Sequence, residues 1–222
     1  MMLSEKAIHD MVTEVTEILD KIEECIEKVW YELKNERERT IWWDEQELIL
    51  PFYFYLRPMI SGLNEHLEKI QLYLVPEYAP KASSYAAVLG EKYPICRKNG
   101  KEFARTKKVD LCVIAFDSSD FERRRKDSKT TYWYIRHAPI VLFEFKLLMK
   151  KDLLPKMEID FKKLTEIARN YEGVQRLYFC CLTDEQLLEK ECRDMLDKMN
   201  IRNLRICYGT ADGKNWGIIS YP

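Results

Sequence analysis

The chain has 222 residues, 46% of them hydrophobic and 12% aromatic, with a formal net charge of -1 at pH 7. That much apolar material suits one domain with a packed core and excludes an intrinsically disordered chain. Gly is scarce at 7 residues, and neither GxGxxG nor GxxxxGKS/T occurs, which argues against a dinucleotide-binding Rossmann site and a P-loop NTPase.

Residues 4–38 read as one long helix that Ser4 can cap. Ile8, Met11, Val15, Ile18, Ile22, Cys25 and Val29 recur at alternating spacings of three and four, a heptad seam. Val12, Leu19, Ile26 and Leu33 widen that seam by one position, which suits packing against a body. Residues 1–39 therefore form a helical arm that either covers the following domain or pairs with a second copy as a homodimer. A second helical region runs over residues 40–70. Pro51 within it marks a helix start near Leu50 or a kink.

From Ile70 the period changes, and residues 70–75 read as a strand. Residues 76–108 hold Pro76, Pro80, Gly90, Pro94 and Gly100, so they read as loop with one short strand near 92–96. Residues 109–116 (VDLCVIAF) form a strand that is apolar on both faces after Asp110. Residues 117–130 are a polar insertion, and 132–135 can extend a neighbouring strand. Residues 139–149 form a second strongly apolar strand, followed by a helix from 155 to about 171. Residues 174–182 (VQRLYFCCL) are a third core strand, and a helix runs from Thr183 to about Asn200. Closing strands at 204–208 and 216–220 join through a turn at Asp212-Gly213. The order implies an α/β domain over residues 40–222, a mixed central sheet flanked by helices on both faces.

Cys25, Cys96, Cys112, Cys180, Cys181, Cys192 and Cys207 include no CxxC pair, and His9, His66 and His137 are scattered. Neither a disulfide scaffold nor a zinc site is expected. Reduced thiols fit a cytoplasmic protein. The N-terminal residues do not read as a signal peptide, and no apolar run reaches the roughly 18 residues of a membrane span.

Chemistry concentrates in residues 140–146, IVLFEFK. Alternation puts Glu144 and Lys146 on one face with Ile140 and Leu142, and Phe143 and Phe145 on the other. A carboxylate and an ammonium in such a strand are costly unless compensated. A simple ion pair at the strand's polar end is one compensation. Asp110 opens another apolar strand, and an Asp from one strand with Glu-x-Lys from the next makes a more specific set. Two carboxylates can hold Mg2+ or Mn2+, and a lysine can orient water or neutralise charge on phosphate.

A strand opening with Asp, a strand carrying Glu-x-Lys, then a helix and a further strand resembles the PD-(D/E)XK, or restriction-endonuclease-like, nucleases over residues 40–183. The resemblance implies an αβββαβ core and hydrolysis of phosphodiester bonds in DNA or RNA. It implies Asp110 and Glu144 as ligands of Mg2+ or Mn2+ and Lys146 as the catalytic lysine. It also implies an acidic residue from the first core helix, Glu47 or alternatively Glu45. Val109 stands where the family's motif has Pro, and 34 positions separate Asp110 from Glu144, so residues 117–138 are read as an insertion. Residues 160–164 (DFKKL) resemble the family's following helix, with Lys162 facing either substrate or solvent.

Basic stretches flank the set. Arg97, Lys98, Lys101, Arg105, Lys107 and Lys108 lead into Asp110, and Arg123, Arg124, Arg125, Lys126, Lys129 and Arg136 precede Glu144. Such clusters attract phosphate backbones, and they equally suit solvated loops. Tyr132, Trp133 and Tyr134 offer stacking surface for unpaired bases. No zinc-finger, helix-turn-helix or RNP pattern separates DNA from RNA. Two other readings stay open: a non-catalytic nuclease-like module that binds nucleic acid or assembles, and a Glu144–Lys146 pair that serves the fold alone.

Overall fold

Strands that are apolar on both faces need cover on both sides, and this chain supplies it with helices from its two halves. The computed structural model describes residues 5–36, 45–68, 70–78, 109–118, 137–148, 153–170, 174–183, 189–201, 203–210 and 213–220. The elements are α1 (Glu5–Glu36), α2 (Glu45–Asn64), β1 (Ile70–Tyr78), β2 (Val109–Asp117), β3 (His137–Leu148), α3 (Leu153–Asn170), β4 (Arg176–Thr183), α4 (Glu189–Met199), β5 (Leu204–Thr210) and β6 (Trp216–Ser220). The strands form one six-stranded mixed sheet in the order β1-β2-β3-β4-β5-β6. β1–β2, β2–β3 and β5–β6 are antiparallel, whereas β3–β4 and β4–β5 are parallel. Each parallel pair is bridged by a helix, as a parallel connection requires. Because the order advances in one direction, crossovers of one hand put α3 and α4 on the same face.

Alternation along β4 separates two cores. Leu177, Phe179 and Cys181 join Met157, Phe161 and Leu164 of α3 and Cys192 and Leu196 of α4. Tyr178, Cys180 and Leu182 join Ile22, Ile26 and Trp30 of α1 and Phe52 and Leu56 of α2. The cysteines pack as small hydrophobes. All six in the described residues are free, and burial pushes the thiols of Cys112, Cys180 and Cys181 well above the ordinary value.

The arm packs into this second core. Ile18, Leu19, Ile22, Ile26, Val29, Trp30 and Leu33 are buried, so this part of the stripe is covered by the chain's own body. Trp30 stacks on Trp216 with ring centroids 4.7 Å apart. Its indole N–H donates to the Gly217 carbonyl at 3.2 Å, and that of Trp216 donates to the Trp30 carbonyl at 3.1 Å. Gly209 makes room for this packing, because a Cβ there would lie 2.5 Å from the Trp216 ring. Glu23 of α1 binds Arg205 Nη2 at 2.6 Å and lies 3.8 Å from Arg176 Nε, tying the helix to β5 and β4.

Several local expectations change. α2 begins at Glu45 and runs through both Pro51 and Pro58 to Asn64. Leu48, Phe52, Leu56, Ile60 and Leu63 are buried at helical spacing, and that burial outweighs the helix hydrogen bonds the prolines forgo. The helix ends where the Asn64 side chain donates to the Leu72 carbonyl and accepts from the Leu72 N–H, both at 2.8 Å. These bonds satisfy backbone groups on the sheet's outer strand. β1 extends beyond Val75 through Pro76, which an edge strand tolerates. A bulge changes the face of Ile140. Val113 pairs with Val141 but Ile114 pairs with Pro139, so Ile140 is the extra residue. It packs on the α1 and α2 side rather than sharing the face of Glu144. Asn200, with φ 51°, closes α4 and donates its N–H to the Leu196 carbonyl at 2.9 Å.

The strand expected near 92–96, the extension at 132–135, residues 119–136 of the insertion and Asp212 of the final turn lie outside the described residues. Gly213 of that turn has φ 69° and donates its N–H to the Thr210 carbonyl at 2.9 Å. No helix in the described residues is long and apolar enough to cross a membrane.

If α1 is integral to the core, Trp30→Ala should cost about 3–5 kcal/mol in urea denaturation. A loss below about 1 kcal/mol would mean that the helix detaches without disturbing the sheet.

Candidate active site

Sheet register brings the acidic residues together. Leu111 of β2 pairs with Phe143 of β3, so the next residues outward in this antiparallel pair are Asp110 and Glu144. Cys112 and Leu142 lie in the α3 and α4 core, and alternation directs Asp110, Glu144 and Lys146 to that same face. Here the ladder gives way to a side chain: the Phe145 N–H donates to Asp110 Oδ2 at 2.7 Å. That bond holds the Asp110 carboxylate beside Glu144.

Glu144 is almost fully buried, 2% exposed. Its Oε1 pairs with the Lys163 ammonium of α3 and lies 3.9 Å from Lys146 Nζ. Its Oε2 is buried and, among the described residues, has no hydrogen-bond partner. Lys146 Nζ has three carboxylates around it. Glu45 at the start of α2 is closest, at 3.2 and 3.3 Å, and Asp160 Oδ2 of α3 lies at 3.7 Å. Lys163 Nζ lies 3.5 Å from Asp160 Oδ1. Among the described residues, four carboxylates thus share two ammonium groups, which leaves an excess of two negative charges when all are ionised.

Burial and these neighbouring charges set the electrostatics. Burial and the neighbouring Asp110 charge push the Glu144 carboxyl up to about 8, against the opposing pull of Lys163. Burial also raises the Asp110 carboxyl, although the Phe145 N–H and the Lys163 and Lys146 charges work to lower it. Burial alone would lower the Lys146 pKa, but Asp160, Glu45 and Glu144 together hold it above the ordinary lysine value. Lys146 is therefore a cation at neutral pH, suited to donating hydrogen bonds rather than accepting a proton.

Of the expected site residues, Asp110, Glu144 and Lys146 come together. Between the two helix carboxylates, Glu45 is the one that pairs with Lys146. Glu45 and Glu47 lie about 200° apart around a helix, so they address different surroundings. Lys162 is 69% exposed and lies 4.0 Å from Glu158 on its own helix. Its neighbour Lys163 turns inward instead. Asp160 and Lys163 were not read from the sequence as site residues. A signal was present for Asp160, because Met157, Asp160, Phe161, Leu164 and Thr165 make one buried helical stripe. A carboxylate inside that stripe needs a partner. Arg105, Lys107, Lys108, Arg123, Arg124 and Arg125 lie outside the described residues.

The donor set suits a hard divalent cation such as Mg2+ or Mn2+. Among the described residues its side-chain acceptors are carboxylate oxygens, one of them buried and without a hydrogen-bond partner. Among the described residues, no three His, Cys, Asp or Glu side chains are already gathered as a ligand cluster, and ammonium groups lie against the carboxylates instead. No protein-family model, curated protein or solved structure matches the chain.

The raised Glu144 carboxyl makes a sign-specific stability prediction. The folded state holds this proton more tightly than the unfolded chain does. Its stabilising contribution is therefore complete below the ordinary value of 4.5 and is lost as pH rises through about 8. In chelator, the melting temperature of the wild type should fall over that window relative to Glu144→Gln, whose amide does not titrate. Parallel pH profiles for the two proteins would overturn the assignment of a raised carboxyl to Glu144.

Proposed function

We propose that the chain is a metal-dependent phosphodiester hydrolase of the PD-(D/E)XK type, acting on DNA or RNA. The observation that carries this reading is the meeting of Asp110 and Glu144 across adjacent strands, with Lys146 on the same face. The order α2-β1-β2-β3-α3-β4, with β4 parallel to β3, supports the αβββαβ core that the sequence resemblance implies. The site lies toward the carboxyl end of β3, where open α/β sheets commonly bind ligands.

Asp110 and Glu144 would hold Mg2+ or Mn2+, with Glu45, which contacts Lys146, the helix carboxylate to assist. When bound, such an ion lowers the pKa of a coordinated water and offsets phosphate charge. The chain's own contribution follows from its geometry. Asp110 is fixed by the Phe145 N–H, so one of its oxygens is already positioned. Lys146 is held as a donor between carboxylates on three elements. Glu45 is its most exposed partner, at 39%, and the easiest for an incoming phosphate to displace. Lys146 can then donate to a non-bridging phosphate oxygen, where negative charge grows in the transition state. A polyanion approaching a cluster in which carboxylates outnumber ammonium groups is otherwise repelled, which supports a role for a cation.

Calorimetric titration with Mn2+ tests the metal site. Saturable binding by the wild type, lost in Asp110→Asn, is expected. Salt-dependent nucleic-acid binding without metal binding or turnover would instead favour the non-catalytic module. Lys146→Ala should keep its circular dichroism spectrum but lose at least about 100-fold in turnover of a DNA or RNA substrate. Full turnover in a folded Lys146→Ala protein would remove the lysine from the mechanism.

A further inference from the structure

Lys163 is an unexpected cation in the cluster. Its side chain is only 14% exposed, and its ammonium pairs directly with Glu144 Oε1. It is therefore a cation on the very carboxylate that the functional reading above assigns to a divalent ion. Two cations crowded against one buried carboxylate repel strongly, so an arriving ion and Lys163 compete for Glu144. Lys163 also has somewhere to go. Asp160 lies three residues earlier on α3, and its Oδ1 is 3.5 Å from Lys163 Nζ. A shift of the flexible lysine further onto Asp160, with which it already pairs, keeps one counter-charge and frees Glu144.

Resting on that reading, we propose that Lys163 is a tethered counter-cation that occupies the metal position and yields to a divalent ion by retreating onto Asp160. It offsets part of the negative charge of the surrounding acidic cluster while no metal is bound, and it sets the metal affinity of the site. Lys163 is thus a regulator of metal loading, distinct in role from Lys146. Lys146 pairs most closely with Glu45, the most exposed carboxylate around it at 39%.

Mn2+ titration by calorimetry of the wild type, Lys163→Met and Lys163→Arg tests this without reference to turnover. Removing the competing charge should tighten Mn2+ binding by at least about tenfold in Lys163→Met. Lys163→Arg keeps the charge and should stay within about threefold of the wild type. Unchanged or weaker binding by a folded Lys163→Met protein overturns the counter-cation role and leaves the metal site standing. Absence of binding in the wild type and both variants overturns the metal site as well. Should Lys163→Met fail to fold, lysine-selective 15N NMR of the wild type decides, with Lys163→Arg assigning the resonance. Displacement predicts that the Lys163 ammonium signal moves on Mg2+ addition, and a stationary signal rejects it.

Discussion

Glu144 sits in a strand whose other residues drive it into the interior, and a carboxylate there must be compensated. Compensation draws in parts of the chain that are distant in sequence. Lys163 comes from α3, Lys146 from the same strand, Asp160 from α3 and Glu45 from the start of α2. Asp110 works in the opposite sense, because it faces Glu144 with a like charge and helps push that carboxyl up. The cluster is consequently held in tension between burial, repulsion and two ammonium groups. That balance, with burial foremost, is what raises the Glu144 carboxyl.

The rest of the fold gives the cluster a rigid frame. β3 is central, with antiparallel β2 on one side and parallel β4 on the other. Phe143 and Phe145 bury their rings on the opposite face, where Phe145 meets Phe52 of α2 at 4.9 Å and Phe143 stacks on Tyr178 at 5.2 Å. Alternation then leaves Glu144 and Lys146 no choice of face. α1 contributes indirectly. Its Trp30 lock on β6 and its Glu23 link to Arg205 close the far side of the sheet. That packing supports the face whose aromatic residues anchor the site strand.

The strands were legible because β2, β3 and β4 are nearly continuous apolar runs, and Asp110, Glu144 and Lys146 stood out as interruptions of them. The bulge at Ile140 was not legible. It depends on where β2 and β3 shift register, and both sides of that shift are apolar. A helix start near Leu50 does not hold, because α2 begins at Glu45 and the burial of Phe52 and Leu56 outweighs the local backbone cost of Pro51. Lys162 and Lys163 differ by about 100° around a helix. Which of them turns inward depends on how α3 lies on the sheet, a property of packing rather than of residue type.

By itself, the amino-acid order determined the kinds of element, the two-faced burial of the central strands and the trio of polar residues that break them. Those follow from periodicity and from the cost of burying charge, both local quantities. Only the tertiary structure decided that Glu45 pairs with Lys146, that Asp160 and Lys163 join the cluster, and that α1 packs against its own sheet. These are contacts between residues far apart in the chain. They are set by sheet register and helix seating, where a shift of one residue turns a side chain to the other face.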